Sequence, residues 1–454
     1  MYAFAIWDEL EQTLTLARDP LGIKPLYYAE GDGDFYFASE VKALLQAPGV
    51  DLREQPAGHV GFFVWGSVPE PYTLYRGIYS CPSGSYTAIT PNGRIEPRSF
   101  YSLTDEVLDF DASTSPKTQD ESLARLHEAL RESVEAHLIS DTPVAIFLSA
   151  GIDSGVITAL ASESRQDLQC LTLGTDRTRN TLLDETGLAG VVARTYGLGH
   201  QSRFIDQATF SSECDRMLNY MDQPTVDGVN VYFISWLARE CGFKVALSGL
   251  GGDELFGGYP SFTQIPTTVR SLGFTRSIPF LGRGWRTFSA KALSRWTSPK
   301  YASLFEYGGT YGGACLLRRG LYMPWELPTF LDADLVRDGW RELASVGTMN
   351  AFLQPLDGLQ PGPVADFLRV STLEIRNYMR TQLLRDSDWA GMAHSLEIRV
   401  PMVDITLLRQ IAPLRASSFA PRKPAFVAAL KTPLPAEILN RPKSGFALPV
   451  REWM

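Results

Sequence analysis

Cysteine and histidine are scarce and scattered. The 454 residues hold five of each. Cys81, Cys170, Cys214, Cys241 and Cys315 form no C-x-x-C and no close Cys/His grouping. That argues against a disulfide framework or a zinc site and fits a reducing compartment. His59, His127, His137, His200 and His394 are as dispersed and read as ordinary surface or core histidines. Basic runs are lacking too: 42 Lys and Arg against 51 Asp and Glu leave a formal charge of −9. Sequence-nonspecific nucleic-acid binding needs many phosphate contacts, so that class is set aside, and anionic ligands belong in local pockets. No apolar run reaches the length that spans a bilayer. Met1–Glu9 shows neither the basic start nor the cleavage pattern of a signal peptide. The expectation is a cytoplasmic protein with no nucleic-acid and no membrane partner.

What is present is an ordinary globular composition, 44% hydrophobic and 20% charged, on a chain long enough for two or three domains. Tyr2–Trp7 and Thr13–Ala17, separated by the polar Asp8–Gln12, predict a hairpin. Tyr27-Tyr28 and Phe35–Ala38 read as strands joined at Gly31–Asp34, and Ser39 as the N-cap of a short helix ending at Leu45. Strands with Gly/Pro punctuation continue to about Tyr101. A strand that starts at residue 2 must pair at once or leave its edge open, so an exposed apolar edge over Tyr2–Trp7, with self-association, is expected. Ser102–Gln119, rich in Asp, Ser, Thr and Pro, reads as a linker. Leu123, Leu126, Leu130, Val134 and Leu138 then repeat at three and four, an amphipathic helix.

Val144–Leu148 is a short apolar run of the buried parallel-strand kind, followed by a loop and a helix to about Ser162. Strands at Cys170–Leu173 and Lys244–Leu247, with helices near Leu188–Tyr196 and Val231–Cys241, complete an alternation that predicts an α/β fold with a doubly wound parallel sheet. Beyond Pro260 the pattern is mostly helical. Two loops carry the chemistry. Leu148-Ser-Ala-Gly-Ile-Asp-Ser-Gly155 is a small-residue turn whose backbone N–H groups can close around an anion at a helix N-terminus. Ser149 and Ser154 add hydroxyls, and Asp153 a carboxylate suited to Mg²⁺. It is not a Walker loop, and an unremarkable strand–helix turn remains an equal reading. Leu247-Ser-Gly-Leu-Gly-Gly-Asp-Glu-Leu-Phe-Gly-Gly-Tyr259 follows a second strand and contains Asp253 and Glu254. Its glycines fit close approach to a ligand, although an acidic solvent loop would look the same. Two such loops at the carboxyl ends of parallel strands favour a shared nucleotide crevice.

These motifs resemble a known family. The first loop is similar to the S-G-G-x-D-S pyrophosphate loop of ATP pyrophosphatases, and the second to a segment of asparagine synthetases. Met392-Ala-His-Ser-Leu-Glu-Ile-Arg-Val-Pro401 with Asp404, Leu439-Asn-Arg-Pro-Lys-Ser-Gly-Phe-Ala-Leu-Pro449, Arg18-Asp-Pro-Leu-Gly-Ile-Lys-Pro-Leu-Tyr27 and Ala38-Ser-Glu-Val-Lys-Ala43 resemble further segments of that family, in order, over nearly the whole chain. The resemblance implies a partial, β-rich N-terminal-nucleophile glutaminase domain at 1–101, a linker at 102–119 and an ATP-dependent synthetase domain of ATP-pyrophosphatase type at 120–454. It implies that Ser149, Gly151, Asp153 and Ser154 grip the β- and γ-phosphates of ATP and that Asp153 and Asp253 share Mg²⁺. It further implies that Phe147, Leu173, Ser248 and Gly249 line the adenosine pocket. Lys443 would meet charge on the transferred phosphoryl group; spacing alone would make it an exposed lysine after a turn. Glu397 and Arg399 are equally a structural ion pair or substrate-side residues.

The implied reaction adenylates aspartate and passes ammonia to it, giving asparagine, AMP and pyrophosphate. Three departures qualify it. Family members that hydrolyse glutamine begin with a nucleophilic Cys, whereas Met1-Tyr2 aligns well inside that domain and Cys81 sits in a Ser-Cys-Pro turn. The expectation is that the chain as written uses free ammonia, or that its true start lies upstream. Leu250 replaces an acidic residue (Tyr in a β-lactam-forming relative) and has no proton to exchange. Ala150 and Gly155 replace a Gly and a Ser of the first loop; a positive φ at 150 would cost Ala about 1 kcal/mol. The alternatives are an amide former acting on another carboxylate, such as a sugar or peptide acid, and an ATP-binding scaffold without activity. A tRNA-modifying ATP pyrophosphatase lacks support from charge or a Cys pair. A homodimer is compatible with the sequence.

Overall fold

The computed structural model describes residues 1–109, 112–179, 181, 183–277, 279–293, 298–441 and 448–453. The chain forms two compact units. The first comprises Met1–Leu108, Gln223–Val226 and Tyr259–Leu384; the second comprises Asp109–Asp222, Asp227–Gly258 and Arg385–Met454.

In the first unit the expected hairpin is present. β1 (Ala3–Asp8) and β2 (Thr13–Arg18) pair antiparallel from Ala3↔Arg18 to Asp8↔Thr13. β3 (Tyr27–Gly31) and β4 (Asp34–Ala38) pair likewise, and β3 also takes β5 (Ile78–Ser80). β6 (Ser85–Thr90) lies on β2 and carries the short β7 (Gly93–Arg94) and β8 (Arg98–Ser99). The short helix after β4, α1 (Val41–Leu44), has Glu40 rather than Ser39 at its N-cap, and no side chain caps it. Backbone bonds of Leu45 and Gln46 close that turn from its other end. α2 (Pro56–Trp65) starts on a proline and stops at Gly66 with φ +80°, the left-handed conformation glycine adopts without a Cβ penalty.

Ala57, Val60 and Val64 of α2 are buried against Leu316, Leu317, Met323, Val336 and Leu343. A fully buried aliphatic side chain contributes about 1.5–3 kcal/mol, so this seam explains why the helical stretch Tyr259–Leu384 clusters with the β-rich segment. Compactness therefore divides the chain differently from the linear order read in the sequence. The stretch expected as a linker also contains a helix, α3 (Leu103–Leu108), in which Leu103, Thr104 and Val107 are buried.

The second unit is built on a five-stranded parallel sheet in the order β11-β10-β9-β12-β13, as the strand–helix alternation predicts. Its strands are β9 (Val144–Phe147), β10 (Gln169–Thr175), β11 (Gly199–Ile205), β12 (Val245–Leu247) and β13 (Glu397–Arg399). α4 (Gln119–Leu138) precedes β9, its Thr118 N-cap accepting from the Glu121 N–H at 3.1 Å. α5 (Ile152–Ser164), α6 (Thr186–Thr195), α7 (Gln207–Tyr220) and α8 (Val229–Glu240) link the strands. From β9 the chain moves to β10 and β11 on one side, then returns to place β12 and β13 on the other. The order thus reverses between β9 and β12, the switch point at which open α/β sheets bind ligands.

Arg399, left between two roles by the sequence, is structural. Its Nε donates to Glu397 Oε1 at 2.6 Å, and its Nη1 donates to the carbonyls of His137 and Ile139 at the end of α4. Asp404 caps the helix Ile405–Arg415. No helix among the described residues is long and apolar enough to cross a membrane.

His394 is buried, its ring 4.4 Å from that of Tyr232 on α8, and among the described residues neither ring nitrogen has a hydrogen-bond partner. Burial, with Arg216 and Arg239 nearby, pushes it down to about 4. Between that value and the ordinary histidine range the unfolded chain binds the extra proton, so stability falls as pH drops from about 6.5 to 4. Chemical denaturation of the wild type and His394→Leu at pH 7 and pH 4 should show their stability difference changing by about 3 kcal/mol across that window. A constant difference would mean His394 does not titrate there.

Among the described residues β1 lies at one end of its sheet. Phe4, Ile6 and Trp7 are 41%, 57% and 52% exposed on β1, while Ala3 and Ala5 pack inward. Sedimentation velocity should show concentration-dependent association of the chain, reduced in Phe4→Ser/Ile6→Ser with little change in melting temperature. A wild-type chain that stays monomeric at high concentration contradicts this.

Candidate active site

The loops after β9 and β12 leave neighbouring strands at the switch point. Parallel pairing sets Val144 against Val245 and Ile146 against Leu247, so Leu148 and Ser248 begin their loops side by side. A cavity of about 330 Å³ opens there, a size that suits a small-molecule ligand. Phe147, Ser149, Asp153, Ser154, Leu173, Ser248 and Gly249 all line it. Gly151 is not in the wall but is the N-cap of α5, where its N–H donates to Ser149 Oγ at 3.1 Å.

The first loop is braced from within. The Ser149 N–H donates to Ser154 Oγ at 3.1 Å, and the two hydroxyls share a hydrogen bond at 3.0 Å. The first N–H groups of an α-helix have no partner inside the helix and carry its positive end; α5 presents that end, with both serine hydroxyls, to the cavity. Ala150 is not among the residues with positive φ, so the cost foreseen for Ala does not arise. A Cβ at Gly155 would stand 2.9 Å from Leu434 Cδ2; here the missing hydroxyl makes room for a packed leucine.

The second loop needs its glycines. Gly251 holds φ +98°, and a Cβ on Gly249 would come within 2.7 Å of the Ser154 backbone nitrogen. Asp253 lies in the first turn of α9 (Gly252–Phe256). It is absent from the cavity lining but meets Asp153 through a residue the sequence reading passed over, Lys423, whose Nζ donates to Asp253 Oδ1 at 2.7 Å and also to Asp153 Oδ1. Burial works against the ammonium, but the two carboxylates outweigh it and hold Lys423 above the usual lysine range. Two half-buried carboxylates are thus brought to one cation.

Other wall residues also went unread. Asn230, Val231 and Ile234 come from α8, and Thr172 and Glu185 from the β10 side. Glu185 is buried; its Oε2 accepts from the Ala150 N–H at 3.4 Å and its Oε1 from Arg441 at 3.2 Å. Asn230 Oδ1 accepts from the Leu448 N–H at 3.1 Å. Lys443 lies outside the described residues. Leu250 faces the cavity alongside Val231 and Ile234, while Glu254 is buried away from it. Cys81, the one cysteine of the β-rich segment, is fully buried, and burial pushes its thiol up.

An asparagine synthase family model matches residues 125–454. The chain belongs to that family. A glutamine amidotransferase domain model matches residues 1–101. A putative asparagine synthetase (glutamine-hydrolyzing) of Mycobacterium tuberculosis is 31% identical over 465 residues, covering 100% of this chain and 68% of that protein. Asparagine synthetase (glutamine-hydrolyzing) 1 of Bacillus subtilis is 28% identical over 476 residues with the same coverage. The amidase chyE of Penicillium rubens is 29% identical over 285 residues, 58% of this chain and 40% of that protein. Asparagine synthases are a family of ATP-dependent amide-forming ligases.

Gly249→Ala tests the closeness of the two loops. Its Cβ would meet backbone atoms of Asp153 and Ser154, which cannot swing aside as a side chain can, so affinity for ATP measured by calorimetry should fall at least tenfold. Gly187→Ala on α6, where the added Cβ meets nothing within 4 Å, should leave affinity unchanged and stabilise the fold by about 0.5 kcal/mol.

Proposed function

We propose that this chain is an asparagine synthetase: it adenylates the side-chain carboxylate of aspartate with ATP and transfers ammonia to the adenylate. The observation that carries the reading is the meeting of Asp153 and Asp253 on one ammonium beside the α5 N-terminus, with Asp153 also in the wall of the cavity. In the first step a carboxylate oxygen bonds to the α-phosphorus as the bond from that phosphorus to the bridging oxygen breaks, releasing pyrophosphate. In the second, ammonia adds to the acyl carbon, AMP leaves with the C–O electron pair, and the nitrogen loses a proton. In-line displacement at phosphorus demands positioning and charge neutralisation more than covalent help.

The residues divide that work. Phe147, Leu173, Ser248 and Gly249 hold the adenosine. Ser149, Gly151 and Ser154, with the α5 N–H groups, hold the β- and γ-phosphates, and Lys423 supplies a positive charge against them. Asp153 and Asp253 are the two carboxylates that would hold Mg²⁺, a cation that takes oxygen donors. A bound Mg²⁺ supplies neutralisation of triphosphate charge. Lys443, by its place in the Arg-Pro-Lys-Ser-Gly-Phe motif, would meet the charge that builds on the transferred phosphoryl group.

Leu250 favours a second reading within the same chemistry. Leu250, Val231 and Ile234 all add apolar side chains to the cavity lining, and leucine at 250 has no proton to exchange, which suits an acceptor carboxylate less polar than aspartate.

AMP and pyrophosphate release from ATP and Mg²⁺, with aspartate present or absent and with ammonia or glutamine as donor, separates the readings. Aspartate-dependent AMP formation supports the first, and ATP binding without aspartate dependence supports the second. Asp153→Asn should lower the rate by about 10²–10³-fold or more. An unchanged rate in Asp153→Asn would remove the ligase reading.

A further inference from the structure

A second, smaller cavity lies wholly within the first compact unit, about 80 Å³ in volume, with Trp65, Glu70, Tyr72, Arg376, Asn377 and Arg380 in its wall. Both arginines come from Glu374–Leu384, a π-helical stretch. Such segments are uncommon and concentrate at functional sites. Three guanidinium groups gather here against few acceptors. Arg18 is buried and fully bonded: it donates to Glu70 Oε1 at 2.6 Å, to Ser80 Oγ and to the carbonyls of Gly22, Lys24 and Cys81. Arg380 donates to Ser83 Oγ at 2.6 Å and sets its Nε 3.1 Å from Glu70 Oε2. Both oxygens of Glu70 therefore already face a guanidinium. Asp19, the other carboxylate near Arg18, spends its oxygens on the backbone N–H groups of Tyr2, Leu21, Ile23 and Lys24.

Arg376 is the exception. Among the described residues it has no hydrogen-bond acceptor and no ion-pair partner. Its guanidinium is stacked over the Phe352 ring at 3.8 Å. Stacking uses the face of the group and leaves the in-plane N–H donors open, held in one orientation. Burial and the neighbouring Arg380 push it down to about 10, the direction expected of a cation short of negative charge. Among the described residues Glu70 is taken by Arg18 and Arg380 and Asp19 by backbone N–H groups, so no carboxylate is bonded to Arg376, at the wall of a cavity with room for a small anion.

We propose that this cavity is an anion site, in which the in-plane fork of Arg376, backed by Arg380, binds a small oxyanion of the carboxylate or phosphate class. Planar guanidinium donors match both geometries in a bidentate way. The proposal is independent of the amide-forming reading, since none of these residues lines the nucleotide cavity.

The test uses the full chain. Isothermal titration with sodium phosphate and with sodium acetate, each against sodium chloride at matched ionic strength, should give saturable binding of at least one oxyanion. Arg376→Gln should weaken it tenfold or more, and Asp153→Asn, which alters only the nucleotide cavity, should leave it within twofold. A second measurement needs no variant: phenylglyoxal labelling of the wild type, read by mass spectrometry, should modify Arg376 several-fold more slowly when that anion is present. Protection at lower phosphate than acetate, or the reverse, supports the site and names its ligand. Absence of both saturable binding and protection overturns it, as does binding that Asp153→Asn removes and Arg376→Gln leaves intact.

Discussion

The parallel pairing of β9 with β12 is the constraint from which the rest of the candidate site follows. Only three residue pairs make the contact, Val144 with Val245, Ala145 with Ala246 and Ile146 with Leu247. They are nonetheless what brings two loops about a hundred residues apart in sequence into one crevice. A shift of one residue moves a strand by about 3.3 Å and turns its side chains to the other face. Gly249 already approaches the Ser154 backbone to a distance at which a methyl group would collide, so the loops meet in this register and no other. The register is held by burial: β12 has no exposed residue and β9 is nearly as enclosed.

That proximity creates an electrostatic problem which the fold then answers. Asp153 and Asp253, on different helices, come close enough to share one ammonium. Two carboxylates drawn together in a half-buried place repel each other and raise the cost of ionisation. Lys423 removes that cost by hydrogen-bonding to both, with burial opposing its charge less than the carboxylates favour it. A group of this kind, negative carboxylates with a cation at the positive end of α5, suits a ligand that is itself a polyanion carrying a counter-cation. The cavity wall beyond these groups is largely apolar, with Phe147, Leu148, Leu171, Leu173, Val231 and Ile234 in it.

What the sequence disclosed and what it hid divide along a physical line. The front hairpin, α4, β9, β10 and β12 announce themselves because each is specified locally, by alternation, by a helical repeat or by a short apolar run. β11 and β13 do not, because each is an edge strand with neither a clear alternation nor an apolar run. Gly199–Ile205 and Glu397–Arg399 have one neighbour each and need no continuous apolar run, so Gly-His-Gln-Ser-Arg-Phe-Ile and Glu-Ile-Arg read as loop. The same rule governs the site. Ser149, Asp153, Ser154, Ser248 and Gly249 sit in loops whose composition is itself unusual. Lys423 is 270 residues from Asp153 and 170 from Asp253, in an Arg-Lys-Pro that nothing local distinguishes. Asn230 lies at the start of an otherwise ordinary amphipathic helix. A long-range ion pair leaves no trace in periodicity or composition, and only the tertiary fold reveals it.

The departures in the motifs are of two physical kinds, and the distinction bears on substrate. Ala150 has ordinary backbone geometry, and Gly155 makes space that Leu434 fills, so both changes on the phosphate side are absorbed by local packing and leave the hydroxyls of Ser149 and Ser154 in place. Leu250 is different, because it faces the cavity rather than a neighbouring element. Its side chain adds apolar surface beside Val231 and Ile234 where a polar group would hydrogen-bond a charged acceptor. Burying a carboxylate or ammonium against such a wall without a partner costs several kcal/mol. The two kinds of change therefore differ in reach: those at 150 and 155 are absorbed by the fold, whereas the one at 250 alters the surface that a ligand of this cavity would meet.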